Sequence, residues 1–116
     1  MHTNELAILA AMSNKYGADP EFVLAGGGNT SFKSEDRLWV KGSGTALATI
    51  RPQDFVVLER PLLAQMWSAQ YPEEEAQREA AVLSDMMNAR VRGENRRPSV
   101  ETLLHDLFPQ KYVRSY

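Results

Sequence analysis

Three short stretches carry residue types that could do chemistry together. Gly26-Gly27-Gly28 runs straight into Asn29-Thr30-Ser31. Backbone N–H groups free of Cβ crowding, beside amide and hydroxyl donors, can surround an anion. Lys41-Gly42-Ser43-Gly44-Thr45 offers the same materials a second time. Pro98-Ser99-Val100-Glu101 then sets a hydroxyl and a carboxylate in the cap and first turn of a helix, where N–H groups and dipole favour anions. The first loop lacks the Lys-Ser/Thr ending of a P-loop and the spacing of a dinucleotide fingerprint, which disfavours both. Taken singly, each stretch also reads as a glycine turn or an ordinary capped helix. His105 follows Glu101 by four residues, a spacing that can ligate metal. Leu104 and Leu107 flank it, which favours a packed, hydrogen-bonded core histidine.

The elements that must position these residues are legible from periodicity. Thr3 or Asn4 caps a helix to about Tyr16 that buries Leu6, Leu9, Ala10 and Met12, with Gly17 as a left-handed stop. Asn29–Lys33 and Arg37–Lys41 read as the arms of a hairpin around the polar turn Ser34-Glu35-Asp36. Alternation sends Leu38 and Val40 to one face of its second arm and Trp39 and Lys41 to the other. Because antiparallel arms bring the start of one beside the end of the other, residues 28–31 and 42–45 are expected to converge. A third strand covers Phe55–Leu58, and Pro61 opens a helix through LLAQMWSAQ, which Tyr71-Pro72 ends. A longer helix from Glu73 to about Arg92 shows Ala76, Ala80, Leu83 and Met87 as its stripe, with Gly93 just beyond. Ser99 caps a last helix, Val100–Leu107, and KYV begins a further strand.

Composition excludes several classes. A chain of 116 residues fits one domain, and 43% apolar with 24% charged residues supports a core rather than disorder. The formal net charge of −2 suggests neither a nucleic-acid nor an anionic-membrane partner. The lack of cysteine removes disulfides and thiolate metal sites. No stretch reaches the ~20 apolar residues of a membrane span. With no basic leader at the N-terminus, a cytoplasmic location is expected.

In order and spacing, GNTSFK, LWVKGSGT and PSVETLLHDLFPQKYV resemble the class II aldolase/adducin family over nearly the whole chain. YGADPEFVLAGGGNTSFK and KGSGTALATI are most similar to its long rhamnulose-1-phosphate aldolase-like branch, some members of which carry a C-terminal short-chain dehydrogenase domain. The resemblance implies an α/β fold of three α/β/α layers, mainly antiparallel with helices on both faces, and a homo-oligomer, usually a cyclic tetramer. It implies retro-aldol cleavage of a ketose 1-phosphate to dihydroxyacetone phosphate and an aldehyde, with Zn2+ as Lewis acid. Gly28, Asn29, Ser43, Gly44 and Ser99 match the family's phosphate-binding positions. Glu101 matches its acid/base, which also sits on the metal when substrate is absent. The same fold serves adducin-head-like binding modules and sugar-phosphate epimerases or dehydratases.

Two departures qualify this. Val100 stands where family members often carry a second hydroxyl. Beyond KYV the family continues into an H-x-H metal motif, whereas here Arg114-Ser115-Tyr116 follow. Residues 1–116 are therefore expected to form a single partial domain, the N-terminal portion, incomplete at the C-terminus and inactive by itself. Zinc would not be bound in the family geometry. Exposed sheet edges and apolar surface would favour self-association.

Overall fold

A computed structural model describes residues 3–18, 28–107 and 111–115. The elements in chain order are α1 (Thr3–Gly17), β1 (Asn29–Lys33), β2 (Arg37–Lys41), β3 (Phe55–Glu59), α2 (Arg60–Met66), α3 (Glu75–Asn88), α4 (Thr102–Leu107) and β4 (Tyr112–Ser115). Two 3-10 turns, Leu47–Thr49 and Pro52–Asp54, link β2 to β3. The four strands form one sheet in the order β3-β2-β1-β4, and every neighbouring pair is antiparallel. The hairpin arms fall where periodicity placed them, with Phe32 opposite Trp39 and Lys33 opposite Leu38.

Alternation along the strands divides the core in two. Leu38, Val40, Val56 and Leu58 face Leu63, Met66, Met86 and Ala89 from the helices after β3. Phe32, Trp39 and Phe55 face Leu9, Ala10 and Ile50 on the α1 side. Phe32 stacks at tilted angles on Trp39 and Tyr112, with ring centroids 5.4 and 5.1 Å away, a favourable aromatic geometry. The result is the expected three-layer α/β/α arrangement, with helices on both faces of an antiparallel sheet.

Five local expectations need correction. Gly17 does not have a left-handed backbone, since the positive-φ glycines among the described residues are Gly28, Gly44 and Gly93. It is glycine because the chain passes so close that a Cβ there would lie 2.2 Å from the Ala48 backbone nitrogen. α3 stops at Asn88 instead of Arg92. The backbone leaves the helix to pair with β3, Glu59 N–H donating to Ala89 O and Val91 N–H to Val57 O, which covers a sheet edge that would otherwise be open. The packing stripe of α3 also shifts. Ala76 and Ala80 are exposed and Leu83 and Met87 half-buried, while Met86 and Ala89 enter the core with Val82 against them.

α2 is shorter than expected and begins one residue before Pro61. α4 begins at Thr102 rather than Val100.

Candidate functional site

The site forms where the start of β1 meets the segment leading into α4. Asn29 is fully buried, and its Nδ2 donates to Ser99 Oγ and, at 3.3 Å, to Glu101 Oε2. Ser99 Oγ in turn donates to Glu101 Oε2 at 2.8 Å and accepts the Glu101 backbone N–H at 3.1 Å. Hence an amide seventy residues or more away in the chain converges with a hydroxyl and a carboxylate on one point. Asn29 Oδ1 is buried and has no hydrogen-bond partner among the described residues. Rotating the amide would not cure this, because it would turn an oxygen toward the Glu101 carboxylate and lose a donor. An unpaired buried carbonyl costs on the order of 1–3 kcal/mol. It marks a place where a donor group is missing.

Ser99 does not arrive there by chance. Arg96 donates to the backbone oxygens of Gln53 and Phe55 and pairs with Glu94. Glu94 Oε1 accepts the Val57 N–H at 3.0 Å. These bonds hold the preceding loop against β3. Gly42 then bridges to Pro98, Ser43 N–H donates to Arg97 O and Ser99 N–H donates to Lys41 O. At the other end Ser99 O accepts both the N–H and the hydroxyl of Thr102, so Ser99 opens α4 as its sequence position implied.

Of the six residues singled out from the sequence, Asn29, Ser99 and Glu101 meet through side chains. Gly28 precedes Asn29 with φ 91°, a conformation open to glycine without strain. Gly26 and Gly27 lie outside the described residues. The 42–45 loop is stitched by backbone bonds beside Ser99. Its Ser43 and Gly44 are nevertheless exposed and show no side-chain bond to the triplet.

Thr30 and Ser31 do not join Asn29 as anion donors. Thr30 turns to α1 and shares a 2.6 Å hydrogen bond with Ser13. Ser31 shares one of 2.6 Å with Nδ1 of His105. His105 is fully buried; burial, and secondarily the Lys33 charge, lower its pKa to about 4, with Glu101 opposing. The imidazole is thus neutral at pH 7, a hydrogen-bonded core histidine.

Two buried lysines belong to the neighbourhood and drew no functional expectation from the sequence. Lys41 Nζ donates to Thr45 O at 2.7 Å and more weakly to Gly42 O, bracing the loop that carries Ser43 and Gly44. Burial lowers its pKa, and Glu101 partly offsets that effect. Lys33 Nζ donates to His105 O at 2.6 Å. Burial first, then the Arg60 charge, bring its pKa down to about 8 against the pull of Asp106. A lysine at the inward position of a strand was the available signal.

A catalytic zinc needs three protein ligands and an open position. Among the described residues no group of three or more His, Asp or Glu side chains gathers. The Glu101 carboxylate is engaged by Ser99 and Asn29, and Nδ1 of His105 by Ser31. These residues do not make up a zinc site, and Glu101 stands as a lone carboxylate. A groove of about 650 Å³ lies beside this cluster, lined by Ala76, Ala80 and Leu83 of α3 together with Pro98 and Val100. No helix among the described residues is long and apolar enough to cross a membrane.

An antiparallel α/β/α layer fold thus brings a buried amide and hydroxyl against a half-buried carboxylate at one end of the sheet. The model of the class II aldolase and adducin N-terminal domain matches residues 7–108, and the chain belongs to that family. It is 35% identical to the protein named uncharacterized oxidoreductase YuxG of Bacillus subtilis (strain 168), over 90% of this chain and 16% of that protein. It superimposes with a TM-score of 0.75 and 30% identity on the N-terminal class II aldolase domain of a conserved protein from Thermoplasma acidophilum, covering 91% of this chain and 51% of that one. The chain thus spans about half of the structural relative and a sixth of the curated one.

Proposed function

We propose that the chain is the N-terminal portion of a class II aldolase-type domain whose three-loop site was built for a ketose 1-phosphate or dihydroxyacetone phosphate. In this reading Asn29, Ser99, the Ser43 hydroxyl and the backbone of Gly28 and Gly44 hold the phosphate and oxygen end of the ligand. Glu101 moves the proton during carbon–carbon cleavage. Lys41, braced inside the second loop, adds positive charge beside the anion. The observation that carries the reading is the buried Asn29–Ser99–Glu101 cluster with the Asn29 carbonyl left without a donor. A ligand hydroxyl supplies that donor.

With Glu101 alone, residues 1–116 are a binding half-site that does not turn over substrate by itself. This chain matches 16% of the protein named uncharacterized oxidoreductase YuxG, so the activity of such a longer protein is not carried by these residues alone.

Calorimetric titration with dihydroxyacetone phosphate tests the site. Saturable binding by the chain is expected, weakened roughly tenfold or more by Asn29→Ala, in line with the loss of a buried hydrogen bond. Binding that Asn29→Ala leaves unchanged would remove the first loop from the site. Aldehyde release from ketose 1-phosphates with stoichiometric zinc would overturn the assignment as an inactive half-site.

A second reading is a non-catalytic binding or assembly module, self-associated as a homo-oligomer. The outward side of α4 favours it: Val100, Leu104 and Leu107 are 75%, 44% and 60% exposed. Sedimentation of the chain over a concentration series separates the readings, because an assembly module stays associated without any sugar phosphate.

A further inference from the structure

The polar side of β1 extends past the site. Asn29, Ser31 and Lys33 occupy alternate positions, so all three side chains project toward α4. Each meets a different point of one short segment. Asn29 reaches Ser99 and Glu101, Ser31 reaches the His105 ring, and Lys33 reaches the His105 carbonyl. None of the three is more than 3% exposed. On β2 and β3 the same sheet face carries Leu38, Val40, Val56 and Leu58, so the polar row is confined to the strand that lies under α4.

α4 has six residues, too few for an isolated helix to persist. Its docking is mostly polar, Leu103 alone among its leucines lying half-buried against the apolar core. Ser99, Thr102, His105 and Asp106 are buried, whereas Val100, Leu104 and Leu107 face outward. Asp106 completes the attachment by pairing with Arg60 at 2.6 Å. Apolar contacts tolerate sliding, but directional bonds between buried groups specify one arrangement, since any other leaves groups unpaired. The His105 N–H donates to the Glu101 carbonyl at 3.1 Å, so the residue gripped by β1 is bonded to the residue that carries the carboxylate.

We infer that His105 is a positioning residue for Glu101: its attachment to Ser31 and Lys33 sets the register at which Ser99 and Glu101 meet Asn29. What Glu101 then does to a ligand rests on the proposed function, but the positioning is a property of the free chain. Ser31, His105 and Lys33 touch no part of the proposed ligand. They act on it through the spacing of Asn29 and Glu101.

The test compares His105→Leu, Ser31→Ala and His105→Asn by the Asn29 side-chain amide resonances in ¹⁵N–¹H spectra and by dihydroxyacetone phosphate titration. His105→Leu and Ser31→Ala are expected to move the Asn29 amide signals and to weaken the ligand roughly tenfold, the scale on which misplaced groups lose binding and catalysis. His105→Asn, whose amide can occupy the place of Nδ1, is expected to restore the Asn29 signals and most of the affinity. Should His105→Leu be unfolded, Ser31→Ala carries the same comparison on a gentler change. Asn29 signals that stay at their wild-type positions in Ser31→Ala, whatever happens to the melting temperature, would reduce His105 to core filling and overturn the inference. A wild-type chain that binds no dihydroxyacetone phosphate would defeat the functional reading instead, while moved Asn29 signals in the variants would still support the positioning.

Discussion

The two sides of β1 solve different problems with five residues. Toward α1 it presents Thr30 and Phe32, and toward α4 it presents Asn29, Ser31 and Lys33. Phe32 gains its stability from area, packing on Trp39, Tyr112 and the α1 helix, and a small shift of its neighbours would cost little. The other side gains little from area. Its buried hydrogen bonds are net contributors of roughly 1 kcal/mol each, but each is expensive to leave unmade, so that side dictates where α4 sits. One side supplies stability and the other supplies register.

The largest effect expected from this contrast is on the apolar side. Phe32→Ala should lower unfolding free energy by about 3–5 kcal/mol, the usual cost of emptying a buried aromatic site, as read by urea denaturation. A loss under about 1 kcal/mol, the scale of an ordinary point substitution, would show that the aromatic cluster is not the main anchor. Acid should act on the polar side. Because folding depresses the His105 pKa from 6.5 to about 4, the unfolded chain takes up this proton first. The stability contributed by the neutral ring is intact above pH 6.5 and falls as the pH drops toward 4, by about 3 kcal/mol in all. Hydrogen exchange should therefore accelerate in Thr102–Leu107 at about pH 4.5 before it does in β2 and β3, and uniform acceleration would contradict the division. The smallest effect is expected outside. Leu104→Gln should change stability by no more than about 0.5 kcal/mol, because this side chain faces away from the row that holds the helix; a larger loss in the same denaturation assay would mean that α4 docks by its apolar residues after all.

Much of this was legible in the sequence. Hairpin limits and sheet faces follow from alternation and antiparallel pairing. Asn29, Ser99 and Glu101 were identified through a family resemblance, and the fold brings them together. Thr30 and Ser31 were misread as ligand donors although the strand rule already separated them from each other: a glycine-rich approach invited a loop reading of residues that belong to the strand. The early end of α3 was hidden because its cause is not local. Nothing in the composition of residues 89–91 announces that β3 will recruit their backbone. The roles of Lys33 and Lys41 were obscured for a similar reason, since a lysine is ordinarily solvated and only the folded chain supplies carbonyl oxygens to receive it.

Apart from Leu103, which packs on the apolar core, α4 docks by polar side chains, and this has a consequence for how such a chain can change over time. Positions 99, 102, 105 and 106 are tied to partners on other elements or to the helix start, and a substitution at one must be answered at another. Positions 100, 104 and 107 carry no such obligation. They can drift, or be recruited to a new surface, while Glu101 keeps its place. Mutational tolerance measured residue by residue along this helix should rise and fall with the helical period, free on one side and fixed on the other.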